Sequence, residues 1–513
     1  MPDNAYKLIP ADFDPVPSLK TLADSSVTAV TTLSTELGAI GIGVSVSGEV
    51  PSALGLAREA LEAQGFEAKV GQTLIVPQRS GTTLIAVGVG DVGGVAGSLT
   101  AANMRDIGAA FARAAHRSSR IGLDVVGATT LDSEDSGRLL TEGVLLARYR
   151  FNELKPSSKH VPLTALEILV PADEVERVSA GVRTGCVTAR ATCLARDLAN
   201  TPPGYLTATD FGNIAEKLGP QHGLSVHVFD KEQIIAERLG GLLAVNAGSV
   251  EEPRMIQVRY TPDDATGHLA LVGKGIMYDS GGISLKPSDP MHLLMKMDMA
   301  GAAAAFAAMT ALKELGCTTR VTAFLMCTDN MPSGSASKLG DVFTVRNGMT
   351  VEIQNTDAEG RLVMSDALVL AAEEKPDAIV DIATLTGAAL AALGTHTAPV
   401  LGNNQELVDQ TKASSAATDE SIWQLPLEHR YRKQLDTEVA DISNLGGKFA
   451  GATTAALFLN EFVDGVPWAH LDIAGTMQVD ADDLWRSQGA TGFGARLLTD
   501  LALNFVPPAT TKS

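Results

Sequence analysis

Apolar strand-like runs alternate with helix-like runs along most of this 513-residue chain, and that alternation leaves few folds open. In the second part, Leu269–Val272 reads as a strand running into Gly273-Lys274-Gly275. Met299–Leu315 then reads as a helix, Arg320–Cys327 as a strand, Val351–Asn355 as a short strand and Arg361–Glu374 as a helix. Ala378–Ala383 is a further strand, ending in Thr384-Leu385-Thr386-Gly387. Strand-then-helix units imply parallel pairing through right-handed crossovers. Ligands of open parallel sheets collect beyond the carboxyl ends of the strands. Lys274, Asp279, Asp357 and the Thr384–Gly387 turn all follow predicted strands, so they are expected on one rim.

Residues 1–170 show the same alternation more weakly. Ala39–Val46, Thr83–Val89 and Leu166–Val170 read as buried strands; Ser52–Gln64, Ala101–Arg117 and Gly137–Tyr149 read as amphipathic helices. No constellation of acids or histidines accompanies them. A long helix over 172–200 is stopped by Thr201-Pro202-Pro203-Gly204, because proline cannot continue the hydrogen-bond ladder. A junction near residue 178 gives an N-terminal α/β domain, 1–178, and a larger α/β domain, 179–513, with helices flanking its sheet. Only the first fifteen residues and the tail Pro507–Ser513 read as unstructured.

The chain is too long for one ordinary core. Its 45% hydrophobic content, 49 glycines and only 4% aromatics suit packed α/β layers. A net charge of −20 argues against binding to nucleic acid or anionic membranes through basic surface. The cysteines, Cys186, Cys193, Cys317 and Cys327, form no CxxC pair and no disulfide framework, so reduced thiols in a cytoplasmic protein are expected. The opening residues show no basic stretch followed by an apolar one, and Met299–Met309 falls short of spanning length.

The chemistry concentrates in a few residues. Asn355-Thr-Asp357-Ala-Glu359-Gly-Arg361-Leu362 sets two acids and a guanidinium at a strand-to-helix turn. Upstream, the segment from Lys274 to Lys286 supplies Lys274, Asp279 and Lys286, and Asp298 follows. Four carboxylates in one place repel one another and raise their own pKa values unless cations neutralise them. Two divalent metals would do so, with a bridging carboxylate fixing their spacing. Lys274 can ligate only as the neutral amine; its alternative is a loop cation balancing the acids. Lys286 would stay charged and stabilise an oxyanion. Arg361 opens a helix, where an anion is favoured, or pairs with Glu359. No histidine pair has ligand spacing, and His292 and His470 read as structural. Oxygen ligands with one amine would accept Zn²⁺, Mn²⁺, Mg²⁺ or Co²⁺. A two-metal phosphoesterase would share the acids but normally adds histidine ligands. The Gly88-Val-Gly90-Asp-Val-Gly93 run matches a dinucleotide-binding pattern but lacks the later acid at a strand end, and reads as a structural turn. Asp279-Ser280-Gly281-Gly282 has no accompanying triad, so Ser280 is not expected to be a nucleophile.

Residues from about 180 to 505 resemble the leucyl (cytosol) aminopeptidase family of metallopeptidases. NTDAEGRL at 355–362 matches the family signature, as do VGKGxxxDSGGxSxKP at 272–287, MDMAGAA at 297–303, ATLTGA at 383–388 and WAHLDIAGT at 468–476. The segment Lys286–Asp298 is one residue longer than the pattern of many members. The resemblance implies a small macro-like N-terminal domain and a catalytic domain with a mixed, mainly parallel sheet. It implies one metal held by Lys274, Asp279, Asp298 and Glu359, and another held by Asp279, Asp357 and Glu359. Lys286 and Arg361 would be catalytic, with a bicarbonate on Arg361 as general base and a water shared by the metals as nucleophile. Leu385 would offer its carbonyl to substrate or water. Met295, Thr384, Gly387, Ala474 and Met477 would line the side-chain pocket. Implied cofactors are two divalent ions, Mn²⁺ or Zn²⁺, and bicarbonate. The implied partners are peptides with an apolar first residue such as Leu or Met, and other copies of the chain in a homohexamer of two trimers. Some family members also bind DNA, a role against which the acidic charge argues.

Overall fold

The computed structural model describes residues 9–10, 12–78, 81–91, 99–126, 131–155 and 157–509. Its contacts divide the chain into two α/β units. One comprises Val16–Cys193 with Val479–Gly489, and the other Leu194–Gln478 with Met1–Pro15 and Ala490–Ser513. The division falls inside the helix Val175–Asn200.

The smaller unit is built on a six-stranded sheet ordered Ser26–Val30, Ala165–Leu169, Arg120–Asp124, Ala39–Ser45, Thr83–Gly90, Thr73–Val76. All neighbours run parallel except the last pair. Helices Ala101–Ala114 and Ser133–Arg148 approach closely because Gly108 and Gly143 sit at their crossing. A Cβ on Gly143 would lie 2.2 Å from the Arg105 carbonyl oxygen. Residues 52–64 do not form one helix. A 3₁₀ turn, Ser52–Leu54, and a short helix, Arg58–Glu62, are separated by Gly55, whose φ of +64° ends the first. Of the glycine run, Gly88 and Gly90 end a strand, while Val92 and Gly93 lie outside the described residues. Parts of the expected tails are tied down. Phe13 packs edge-on against Tyr205 at 5.0 Å, and the Ala509 amide donates to Glu406 Oε2 at 2.8 Å. Residues 1–8, 11 and 510–513 lie outside the described set.

The larger unit holds an eight-stranded mixed sheet. Its order is Ile422–Gln424, Ala398–Gly402, Trp468–Asp472, Ala378–Ala383, His268–Asp279, Arg320–Asn330, Arg254–Tyr260, Ser225–Phe229. The four central strands, Trp468–Asp472 through Arg320–Asn330, are mutually parallel. Helices cover both faces, so these strands read as continuous apolar runs rather than alternating ones. Helix Ala300–Ala311 is almost entirely small residues and fully buried, which lets it lie close on the sheet. The helical stretch Pro290–Ala311 is long and apolar enough to cross a membrane. However, 83% of its most apolar window is buried in the protein, as befits a core element.

Two departures from the expected layout shape the site. The strand carrying Lys274 is much longer than its apolar start and runs on to Asp279. Val351 belongs to a separate three-stranded sheet of Val342–Thr344, Thr350–Glu352 and Ile442–Ser443, not to the central one.

Candidate metal centre

Lys274 lies inside a strand on one side and past a strand end on the other. Toward Arg320–Asn330 the ladder continues to Asp279, whereas toward Ala378–Ala383 its last pair is Gly273 with Ile382. The neighbouring chain turns away there as Thr384–Gly387. The Lys274 ammonium therefore reaches the Thr384 carbonyl oxygen at 2.7 Å. It also meets Asp298 Oδ2 and Glu359 Oε1, both at 2.8 Å. Gly360 makes room, since a Cβ there would stand 2.6 Å from Lys274 Cε.

Asp279 ends the same strand. A register shift opposite Thr328/Asp329 brings Asn330 level with it, the kind of irregularity that re-aims side chains beside sites. Asn330 Nδ2 donates to Asp279 Oδ1 at 2.9 Å, to the Thr356 carbonyl at 3.0 Å and more weakly to Glu359 Oε2 at 3.4 Å. The chain then reverses through Gly281 and Gly282, with φ of +88° and +66°, where side chains are strained. A Cβ on Gly281 would also lie 2.8 Å from Asp357 Oδ1. The turn delivers Lys286, whose ammonium donates to Asp279 Oδ2 at 2.8 Å and Asp357 Oδ1 at 2.6 Å.

Each residue of the turn at 355–361 has a separate task. Asn355 Oδ1 accepts from the Asp357 amide at 2.8 Å, a local turn of the kind Asn favours. Thr356 ties the turn to the glycine loop, donating to the Gly281 carbonyl at 2.7 Å and accepting from the Ser284 amide at 2.8 Å. Asn444, which follows the small-sheet strand Ile442–Ser443, clamps the segment from behind. Its Nδ2 donates to the Asn355 carbonyl at 2.7 Å, and its Oδ1 accepts from the Gln354 amide at 2.8 Å. Helix Glu359–Glu373 then starts with Glu359 and Arg361 buried in its first turn.

Opposite, Asp472 ends its strand and organises the Thr384–Gly387 turn. Its Oδ1 accepts from the amides of Leu385 at 3.0 Å and Ala474 at 3.2 Å, and its Oδ2 from the Thr386 hydroxyl at 2.7 Å. Thr384 Oγ1 donates to Asp298 Oδ1 at 2.6 Å. A cavity of about 310 Å³ opens over this floor. It is lined by Lys274, Asp279, Lys286, Met295, Asp298, Asp357, Glu359, Thr384, Leu385, Gly387, Ala474 and Met477. Every residue expected to hold metal, act on substrate or line the pocket is thus on its wall except Arg361, which is buried and does not line it. His292 also lines the cavity and stacks on Tyr278. His470 lies in the core, its Nδ1 2.5 Å from Asp381 Oδ1. Asn330, Asn444 and Asp472 were not singled out from the sequence. An Asp closing a largely apolar strand, as Asp472 does in WAHLDIAGT, is the available signal.

Asp279, Asp298, Asp357 and Glu359 place four acids against two ammoniums. Burial, and then Asp279, push Glu359 and Asp357 above the usual carboxylate range. Burial likewise raises Asp298 well above it, against the pull of Lys274. Burial alone would lower Lys274, but Asp298, Glu359 and Asp279 outweigh it and hold the ammonium above its ordinary value. Lys286 is held high in the same way by Asp279 and Glu359. Burial depresses Arg361 to about 10, and its Nε has no hydrogen-bond partner. Oxygens of Asp279, Asp298 and Glu359 lie within 4.8 Å of one another, a spacing that can hold a metal ion. An excess of buried acids fits a divalent cation, and a buried guanidinium with an unused donor fits a small anion.

The fold and site together define an α/β protein with a candidate metal-binding site at the carboxyl rim of the parallel central strands. Comparison with known proteins narrows this. Residues 193–499 match the catalytic domain of the cytosol aminopeptidase family, and residues 48–158 match that family's N-terminal domain. The chain belongs to the cytosol aminopeptidase family, whose members are metal-dependent exopeptidases. It is 39% identical over 459 residues to a probable cytosol aminopeptidase of Alkaliphilus metalliredigens, covering 87% of this chain and 91% of the relative. A probable cytosol aminopeptidase of Roseiflexus castenholzii is 38% identical, covering 92% and 97%. Among solved structures, the bottromycin maturation enzyme BotP in complex with Mn superposes with a TM-score of 0.82 at 37% identity, covering 91% of this chain and 98% of that one.

Proposed function

We propose that the protein removes single residues, preferentially Leu or Met, from the N-termini of peptides in the cytosol, using two divalent metals and a bicarbonate. The observation that carries this reading is the convergence of four carboxylates and two lysines on one apolar-walled cavity. Lys274, Asp279, Asp298 and Glu359 would hold one ion, and Asp279, Asp357 and Glu359 would hold the other. Bound ions polarise a carbonyl and make a water more acidic, and a bicarbonate supplies a base. The Mn in the BotP structure favours manganese, with zinc as the other candidate.

The chain's own groups do the rest. Lys286, at the more open side of the acid cluster, donates to the scissile carbonyl oxygen and stabilises the charge that develops there. Arg361, buried with Nε unused, anchors the bicarbonate. Leu385 presents its carbonyl to substrate or water, on a turn fixed by Asp472. Met295, Thr384, Gly387, Ala474 and Met477 receive the first side chain, and the apolar character of all but Thr384 favours Leu and Met. Assembly as two stacked trimers, a homohexamer, completes the proposal. Leucine p-nitroanilide cleavage should vanish in EDTA and return with Mn²⁺ or Zn²⁺. Cleavage unchanged by chelation would overturn the reading.

A further inference from the structure

The N-terminal unit contains a second cavity, of about 230 Å³, that the peptidase chemistry does not use. Its lining includes two arginines and the acid Glu153. Arg148, the last residue of its helix, lines it at 7% exposure, with Arg150 and His160 beside it. The Arg148 guanidinium donates to the carbonyls of Ala115 and Ser118, each at 3.1 Å, and of Val161 at 2.5 Å. Among the described residues no carboxylate pairs with it, and its Nε has no hydrogen-bond partner. Leu22, Leu145 and Leu163 contribute apolar lining.

Buried arginines are normally matched by an acid, because an unmatched charge in low dielectric is costly. Here burial and the neighbouring Arg150 depress Arg148 to about 10. Burial, Arg148 and Arg150 together press His160 down to about 4. Glu153 also lines the cavity and Asp482 pairs with Arg150, so among the described residues Arg148 is the lining arginine that no carboxylate matches, and the leucines give the same cavity an apolar wall. The cavity is smaller than the roughly 300–1,000 Å³ of drug-sized sites, which suits a ligand of a few carbons.

We propose that this cavity binds a small organic monocarboxylate with a branched apolar body, its carboxylate on Arg148 and its hydrocarbon against the leucines. The wall of leucines sets such a ligand apart from an inorganic anion, and the arginine sets it apart from a neutral one.

Calorimetric titration of the metal-loaded full-length protein with 4-methylpentanoate, 4-methylpentanamide and inorganic phosphate tests this. The probe has no α-amine and no peptide bond, so it is not a substrate for the proposed aminopeptidase reaction. The carboxylate should bind, and the amide and phosphate should bind ~10-fold or more weaker. Arg148→Gln should abolish binding of the carboxylate. Because Arg148 also clamps three carbonyls, Thr21→Trp provides a second variant that fills the cavity from its rim and leaves the clamp in place. Loss of binding in Thr21→Trp with an unchanged melting temperature supports the site. Binding retained in that variant would place the ligand elsewhere and overturn the proposal. Equal binding of amide or phosphate, or no binding to the parent protein, would do so too.

Discussion

Lys274 and Lys286 each pair with two carboxylates, yet their side chains are 2% and 20% exposed. Lys274 is held by a strand, by the Thr384 carbonyl and by two acids that are themselves buried. Lys286 sits beyond a two-glycine turn, on the acid cluster's open side with Asp357, whose side chain is 34% exposed. The difference teaches a division of labour. A fully buried ammonium is tolerable only while its acids stay, so the deep half of the site is built to hold charge in place. In the proposed reaction the open half would keep a cation where an incoming carbonyl can meet it.

The largest effect that would sharpen this contrast is expected from Lys274→Ala. It should cost one metal and lower turnover by ~10³-fold or more, several kcal/mol of transition-state stabilisation. Asp357→Ala should likewise lose metal, so a variant with full activity and full metal content would break the assignment. Lys286→Ala is expected to reduce turnover by ~10²–10³-fold while metal content, read by mass spectrometry, stays unchanged. Arg361→Ala should cost ~10²-fold and remove any stimulation by added bicarbonate, which a bicarbonate titration would register.

A smaller effect follows from protonation. Acids hold the Lys274 ammonium above its ordinary value, so ligation by the neutral amine must release a proton. Metal affinity should therefore rise with pH, by up to ~10-fold per unit between pH 6 and 8 if one proton leaves. Competition with a chelator at several pH values measures it, and the slope should flatten in Lys274→Ala. Smallest is Asn330→Ala, which frees Asp279 and Glu359 to move. A loss of ~1–3 kcal/mol in thermal stability is expected, with metal still bound more weakly.

Much of this was legible in the sequence because the site is written in strand ends. Asp279 and the Thr384–Gly387 turn follow apolar runs that fold as parallel strands, and the carboxyl rim gathers them. Lys274 was harder. Periodicity stops at Val272 because glycines flank the lysine, yet the strand continues, and only the shorter neighbour makes Lys274 a rim residue. The strand before Asp357 was visible, but its membership of a separate sheet depends on pairing with Ile442–Ser443, which no local pattern announces. Asn330 and Asn444 act through long-range hydrogen bonds from neutral side chains, so neither charge nor spacing marked them. Gly55 shows the converse, a local signal that breaks the helical reading of 52–64.

The most direct test of the division between the lysines is metal stoichiometry in three proteins side by side: parent, Lys274→Ala and Lys286→Ala. The expected result is two ions per chain in the parent, one or fewer in Lys274→Ala, and two in a nearly inactive Lys286→Ala. Two ions retained in Lys274→Ala, or metal lost from Lys286→Ala, would contradict it.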